Sequence, residues 1–195
     1  MRPERIKVEP LSFGTVMSFM AQGIYRIPRF QRTFVWERSR IQTLLDSMYR
    51  EYPIGTLFLW KAPSKYNHML RSVDYLNQAP IEENQSYTFI LDGQQRLTSL
   101  YVTVNGLKIG GENYGKIVAD LNSEEGNNLF QYRNPDNKRW IAVKDFLKEN
   151  VFDIYDSLSI ESRQKFQDIR QRLTSYPFSV VSVNEMELDD AIEIF

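Results

Sequence analysis

The chain has 195 residues, 42% of them hydrophobic and 13% aromatic, which is enough for a real core in one fairly large domain or in one domain plus part of another. A formal charge of −1 excludes a surface that is basic throughout; with no cysteine and a single histidine, His68, disulfides, thiol nucleophiles, thiolate zinc sites and a histidine-based nuclease centre drop out of consideration. No apolar run approaches the roughly 18 residues that span a bilayer, and the amino terminus MRPERIKVEP lacks a signal-peptide core, so a cytoplasmic location without a membrane partner is expected.

In chain order, Leu11, Phe13, Val16, Met17 and Met20 have helical spacing and stop at Gly23. Ile24 to Phe30 reads as extended, because Pro28 removes a donor and turns Ile27 away from helical angles; such a segment suits a sheet edge or a loop crossing a pocket. Ile41, Leu44, Leu45 and Met48 form one buried helix face within 37–52, closed by Pro53 and Gly55. Thr56 to Trp60 is β-prone, and about 63–84 is a polar excursion without periodicity, expected to be an insertion or mobile loop. A strand over Tyr87 to Leu91 then turns at Asp92-Gly93 into a helix with Leu97, Leu100, Tyr101 and Val104 on one face. Lys116 to Leu121, Leu129 to Tyr132 and Trp140 to Val143 suit a small β meander. Helices are expected over 143–149 and 160–176, the second with Ser159 as N-cap and Pro177 as its stop, followed by a strand over Phe178 to Val183 and a helix from Leu188. The expected class is α+β in a single domain over 1–195, and the unterminated last helix pattern suggests a piece of a longer chain.

Charge is distributed unevenly. Arg26, Arg29, Arg32, Arg38, Arg40 and Arg50 face only Glu37 and Asp46 in their stretch, whereas 181–195 carries five acids and no Lys or Arg. These biases either meet in the fold or mark separate surfaces. The basic stretch, with Arg26 and Arg29 foremost, is the candidate grip on a DNA backbone.

The most informative stretch is Tyr87 to Tyr101, YTFILDGQQRLTSLY. A strand feeding directly into a helix puts unpaired N–H groups and the positive helix end at the strand's carboxyl edge, where phosphates bind. Arg96 can add a charge-assisted contact, Gln94 and Gln95 can donate to phosphate oxygens or orient a water, and Asp92 can hold a magnesium ion bridging phosphates. The same residues also suit an ordinary turn with a capping carboxylate and an Arg–acid pair. A second cluster, IPRFQRTFVW over Ile27 to Trp36, mixes cations, amides and aromatics in a form that suits base stacking and phosphate gripping; its aromatics Phe30, Phe34 and Trp36 suit a core better, while Gln31 and Arg32 suit either role.

Together IPRFQRTFVW, YPIGTLFLW (Tyr52 to Trp60) and FILDGQQRLTSL (Phe89 to Leu100) resemble the amino-terminal domain of the GmrSD modification-dependent (type IV) restriction enzymes. The resemblance implies a ParB/sulfiredoxin-like fold, a mixed sheet with packed helices, that binds and hydrolyses a nucleoside triphosphate and so controls cleavage of modified DNA. It places Asp92, Gln94 and Arg96 in the hydrolytic centre, with Gly93 and Gln95 in the nucleotide motif and Gln31 and Arg32 on an arm closing over the pocket. It further implies a carboxyl-terminal HNH-type nuclease domain as partner, which these 195 residues do not contain.

Overall fold

The computed structural model describes residues 5–76, 78–124, 126–148, 151–184 and 186–193, and they form an α+β arrangement. The chain divides into two compact units: Met1–Val35, Gly55–Thr98 and Pro177–Phe195 in the first, Trp36–Ile54 and Ser99–Tyr176 in the second.

The first unit is built on a five-stranded mixed sheet of β1 (Ile6–Ser12), β2 (Tyr25–Arg26), β3 (Leu57–Ala62), β4 (Tyr87–Asp92) and a late strand, β10 (Pro177–Asn184), in the order β1-β10-β3-β4-β2. β10 pairs antiparallel with β1 and parallel with β3; β4 pairs antiparallel with β3 and parallel with β2. The β-branched run Val180, Val181, Val183 suits a strand with a neighbour on each side. Trp60 stands edge-on to Phe89 at 5.2 Å in a core completed by Leu91, Val183 and Met186. α1 (Phe13–Ala21) buries Phe13, Val16, Met17 and Met20, and Phe13 stacks on Phe178 of β10 at 6.3 Å. Ser12 caps this helix by accepting from the Thr15 amide.

The helix pattern expected from Leu11 thus begins at Phe13, and the preceding residues are strand. Residues 63–84 are not a loose excursion: two 3-10 turns, Ser64–Met69 and Asp74–Leu76, bury Leu70 and Leu76. The Asn67 amide donates to the carbonyls of Glu82, Glu83 and Gln85, tying the two ends of the segment together.

In the second unit, α2 (Arg38–Tyr49) buries Ile41, Leu44, Leu45 and Met48, the stripe its spacing predicts. α3 (Gln94–Val104) crosses the division between the units at Thr98. A short ribbon, β5 (Lys108–Ile109) with β6 (Glu112–Asn113), precedes the three expected strands, β7 (Ile117–Asp120), β8 (Phe130–Tyr132) and β9 (Trp140–Ala142); their order is β8-β7-β9, with β7 in the middle, so they form an antiparallel sheet and not the expected meander, in which β8 would pair with β9. α4 (Val143–Phe146), α5 (Phe152–Ser157) and α6 (Ile160–Ser175) follow, Ser159 capping α6 through the Ser162 amide; the sequence reading has no counterpart for α5. Phe146 stacks on Phe166 at 4.6 Å. Asp46, in the middle of α2, accepts from the amides of Leu129 and Phe130 at 2.8 and 3.4 Å and so seats the start of β8. α7 (Leu188–Glu193) returns to the first unit; the expected continuation to Ile194 and Phe195 lies outside the described residues.

Candidate functional site

β4 ends at Asp92, opposite Phe58, where the β3–β4 register shifts between Phe58 and Leu59. Gly93 then takes φ +92°, and a Cβ there would meet Leu57 Cδ2 at 2.4 Å, so the turn needs glycine on both conformational and steric grounds. The ladder of α3 starts with the Leu97 amide donating to the Gly93 carbonyl at 2.9 Å, with the amides of Gln94 and Gln95 in the first turn ahead of it.

Arg96 turns back from that first turn across the gap to β3. Its Nη2 donates to Asp92 Oδ2 and to the Thr56 carbonyl, each at 2.9 Å, and Nη1 sits so close to Gly55 that a Cβ there would lie 2.7 Å away. The two partners differ in exposure: 14% for the Arg96 side chain and 55% for that of Asp92. Arg96 is therefore a brace tying α3 to the Gly55-Thr56 corner, and Asp92 is the charged group that faces outward.

The IPRFQR arm reaches the same corner. Pro28 to Gln31 is a turn, with the Gln31 amide on the Pro28 carbonyl at 3.1 Å, and Gln31 Nε2 donates to the Leu91 carbonyl at 2.7 Å. Gln95 clasps the arm at both polar ends of its amide: Nε2 donates to the Thr33 carbonyl at 2.9 Å, and Oε1 accepts from the Val35 amide at 3.0 Å. Nε2 also donates to Gln94 Oε1 at 3.0 Å. Gln94 is 2% exposed, and its Nε2 has no protein partner. The structure thus gathers Gln31, Asp92, Gly93, Gln94, Gln95 and Arg96 into one corner, with Gln95 and Arg96 largely committed to holding it together.

The arginines separate. Arg26 is 2% exposed; it donates to the carbonyls of Gly23 and Ala79 and to Gln78 Oε1 and stacks over Tyr87 at 4.9 Å, so it is an interior tie rather than a surface cation. Burial pushes its guanidinium below the usual value, with Tyr87 partly offsetting the shift. Arg29 and Arg32 are exposed beside Phe30 and Val35. Arg29 Nε donates to the Leu70 carbonyl at 3.0 Å. Arg71, which no sequence pattern singles out, donates to the Arg32 carbonyl at 2.8 Å and props the arm. Arg38, Arg40 and Arg50 belong to the second unit. The carboxyl-terminal acids do not meet the arginines of 26–50 in the described ion pairs: Glu187 pairs with Lys65 and Asp190 with Arg5. His68 is exposed, with Nδ1 2.9 Å from the Lys65 carbonyl.

Among the described residues no three His, Cys, Asp or Glu side chains cluster as a metal site. Of the residues gathered at the corner, Asp92 is the one with a carboxylate, which fits an ion that takes most of its ligands from phosphates and water, as magnesium does. The buried, unpartnered Gln94 amide and the leading amides of α3 supply donors suited to an anion.

A mixed sheet whose strand-to-helix corner is clasped by an upstream arm defines an α+β domain with one polar junction. The chain belongs to the family described as GmrSD restriction endonuclease, N-terminal domain, which matches residues 13–195. It is also 34% identical over 87 residues to an uncharacterized protein of Methanocaldococcus jannaschii, a match covering 43% of this chain and 15% of that relative's length. No helix among the described residues is long and apolar enough to cross a membrane.

Proposed function

We propose that this chain is the nucleotide-controlled part of a modification-dependent DNA restriction system: it binds a nucleoside triphosphate at the Asp92–Arg96 corner, hydrolyses it, and so governs a nuclease carried elsewhere in the protein. The observation that carries this reading is the convergence of the arm and the helix start, where Gln31 reaches the Leu91 carbonyl and Gln95 holds Thr33 and Val35. A corner built only to turn the chain has no need of a second segment, 60 residues upstream, locked over it by side-chain amides. A ParB/sulfiredoxin-like assignment of the first unit belongs to the same reading.

The division of labour follows from exposure and partners. The amides leading α3 receive phosphate oxygens. Asp92 takes the magnesium ion, which when bound neutralises phosphate charge. Arg96 positions Asp92 by its 2.9 Å bond and keeps Gly55-Thr56 against the helix, so it acts as a positioning residue. Gln94 presents an unspent N–H from a buried side chain, suited to a phosphate oxygen or to the attacking water. Phosphate release and nucleotide affinity test the roles. Asp92→Ala should abolish hydrolysis, and Arg96→Ala should lower it by about tenfold or more through misplacement of Asp92; full hydrolysis by folded Arg96→Ala refutes its role.

A second reading, a non-enzymatic module that binds DNA or senses its modification, is favoured by Arg29 and Arg32, exposed next to exposed Phe30 and Val35. Cations interleaved with apolar side chains suit a nucleic-acid backbone and its bases. In it Arg29 carries the contact expected of Arg26 and Arg29 together, since Arg26 is buried.

A further inference from the structure

The second unit contains a cavity of about 530 Å³ that includes none of the residues of the Asp92–Arg96 corner. It lies where the end of α2, residues 123–124 and 126–129, and α6 meet, and its lining includes Tyr49, Arg50, Tyr52, Glu124, Lys165 and Arg172. The volume falls within the range of small-ligand sites, roughly 300–1,000 Å³. Three cations against one carboxylate give the lining a positive bias.

The cations are held ready in different ways. Arg172 is matched by acids, Asp168 at 2.7 Å and Glu51 at 3.9 Å. Arg50 instead donates to the neutral carbonyls of Gly126 and Asn127 at 3.3 and 3.2 Å, while Asp46, one turn earlier, directs its carboxylate to the Leu129 and Phe130 amides. Lys165 donates to the Tyr49 hydroxyl at 3.0 Å, and that hydroxyl donates to Asp168 at 2.6 Å. Lys165 and Arg172 both lie over the Tyr49 ring, at 5.1 and 5.2 Å. Tyr52, 56% exposed, is fixed by its backbone, whose carbonyl accepts from the Tyr176 hydroxyl at 2.7 Å. Arg50 and Lys165 thus have neutral hydrogen-bond partners, while the carboxylates of Asp46 and Asp168 act on them through space, beside the exposed Tyr52 ring.

From this arrangement we infer that the cavity is a second ligand site, taking a phosphate-bearing ligand of nucleotide size: Arg50 and Lys165 hold the phosphate, and the Tyr52 ring receives the planar part. A free nucleotide and a nucleotide of a DNA strand share this chemistry. The inference stands independently of the proposed role of the Asp92–Arg96 corner.

The test is titration calorimetry with hydrogen–deuterium exchange on the 195-residue chain, using ATP with magnesium in one arm and a 12-nucleotide single-stranded DNA in the other. At least one probe should protect backbone amides in 49–52 and 123–129, with binding there weakened about tenfold by Lys165→Gln and by Arg50→Gln and retained in Asp92→Ala. Protection by ATP assigns the site to a free nucleotide, and protection by the oligonucleotide assigns it to a strand. Lys165→Gln leaves the loop bonds of Arg50 in place, so its result stands even if Arg50→Gln loosens the loop. The site is overturned if neither probe protects these segments, or if folded Lys165→Gln binds as the wild type does. Protection confined to 89–96 would support the junction and refute this site, and protection confined to 49–52 and 123–129 would do the reverse.

Discussion

At the scale of single residues, the corner divides chemistry from scaffolding along lines of burial. Gln95 makes both ends of its amide structural, so Gln95→Ala should release Thr33 and Val35, cost about 1–3 kcal/mol in urea unfolding and raise amide exchange over 31–35. Arg26→Ala should cost about 2–4 kcal/mol, because two carbonyls and Gln78 lose their donor in a buried site, and it should leave any DNA affinity unchanged in the folded fraction. The DGQQR residue types announced a polar corner, but the sequence does not show which of them point inward. Arg26, Arg29 and Arg32 look equivalent along the chain, yet a parallel bridge of Tyr25–Arg26 to β4 pulls the first one inside. The burial of Asp46 follows from receiving the Leu129 amide at the start of β8, a contact 83 residues away that no local pattern contains. Burial is the main cause that raises the Asp46 carboxyl, with the Leu129 and Phe130 amides and Arg50 pulling the other way. A raised folded value means stability is lost as pH rises through it. Relative to Asp46→Asn, which keeps the acceptor, the wild type should therefore gain stability as pH falls from 7 toward about 4.

At the scale of elements, legibility tracks whether an element's partner is local. α2 and α6 carry their stripes in sequence, and the strand-to-helix break at Asp92-Gly93 stands out because one period gives way to another. β1 does not, since it is an edge strand with Ile6 and Val8 exposed and only the register to β10 fixes it. The 63–84 segment looked loose because its order comes from one asparagine and two buried leucines rather than from periodicity. The Gly93 turn should tolerate no side chain: Gly93→Ala should destabilise by about 1–3 kcal/mol and blunt nucleotide binding together with stability. In the β8-β7-β9 sheet, Asp120 receives a two-pronged bond from Arg139 at 2.7 and 2.8 Å. Burial alone would raise the Asp120 carboxyl, but the Arg139 bonds, the Asn122 amide and the charges of Arg139 and Arg133 outweigh it and hold the group below its usual value. A depressed folded value gives stability that is present above the unfolded pKa, about 3.9, and is lost as pH falls through the folded one. Acid unfolding followed between pH 6 and 2 should show this loss in the wild type, and Arg139→Gln should flatten it.

At the scale of the whole molecule, a net charge of −1 coexists with a locally cationic arm, so any DNA contact is a patch effect and must be sensitive to salt. Replacing Arg29 by Glu should remove about one unit from the slope of log affinity against log salt while leaving nucleotide affinity at the corner intact. The central claim is that the Asp92–Arg96 corner is a nucleotide site, and a thermal-shift series with the four ribonucleoside triphosphates, with and without magnesium, tests it most directly. A ligand at 100 times its dissociation constant adds about 2.7 kcal/mol to the native state. For a chain of this size that is a rise of roughly 5–10 °C with the preferred nucleotide, strongest with magnesium and lost in Asp92→Ala. A melting temperature that none of the four triphosphates moves at millimolar concentration would contradict the account.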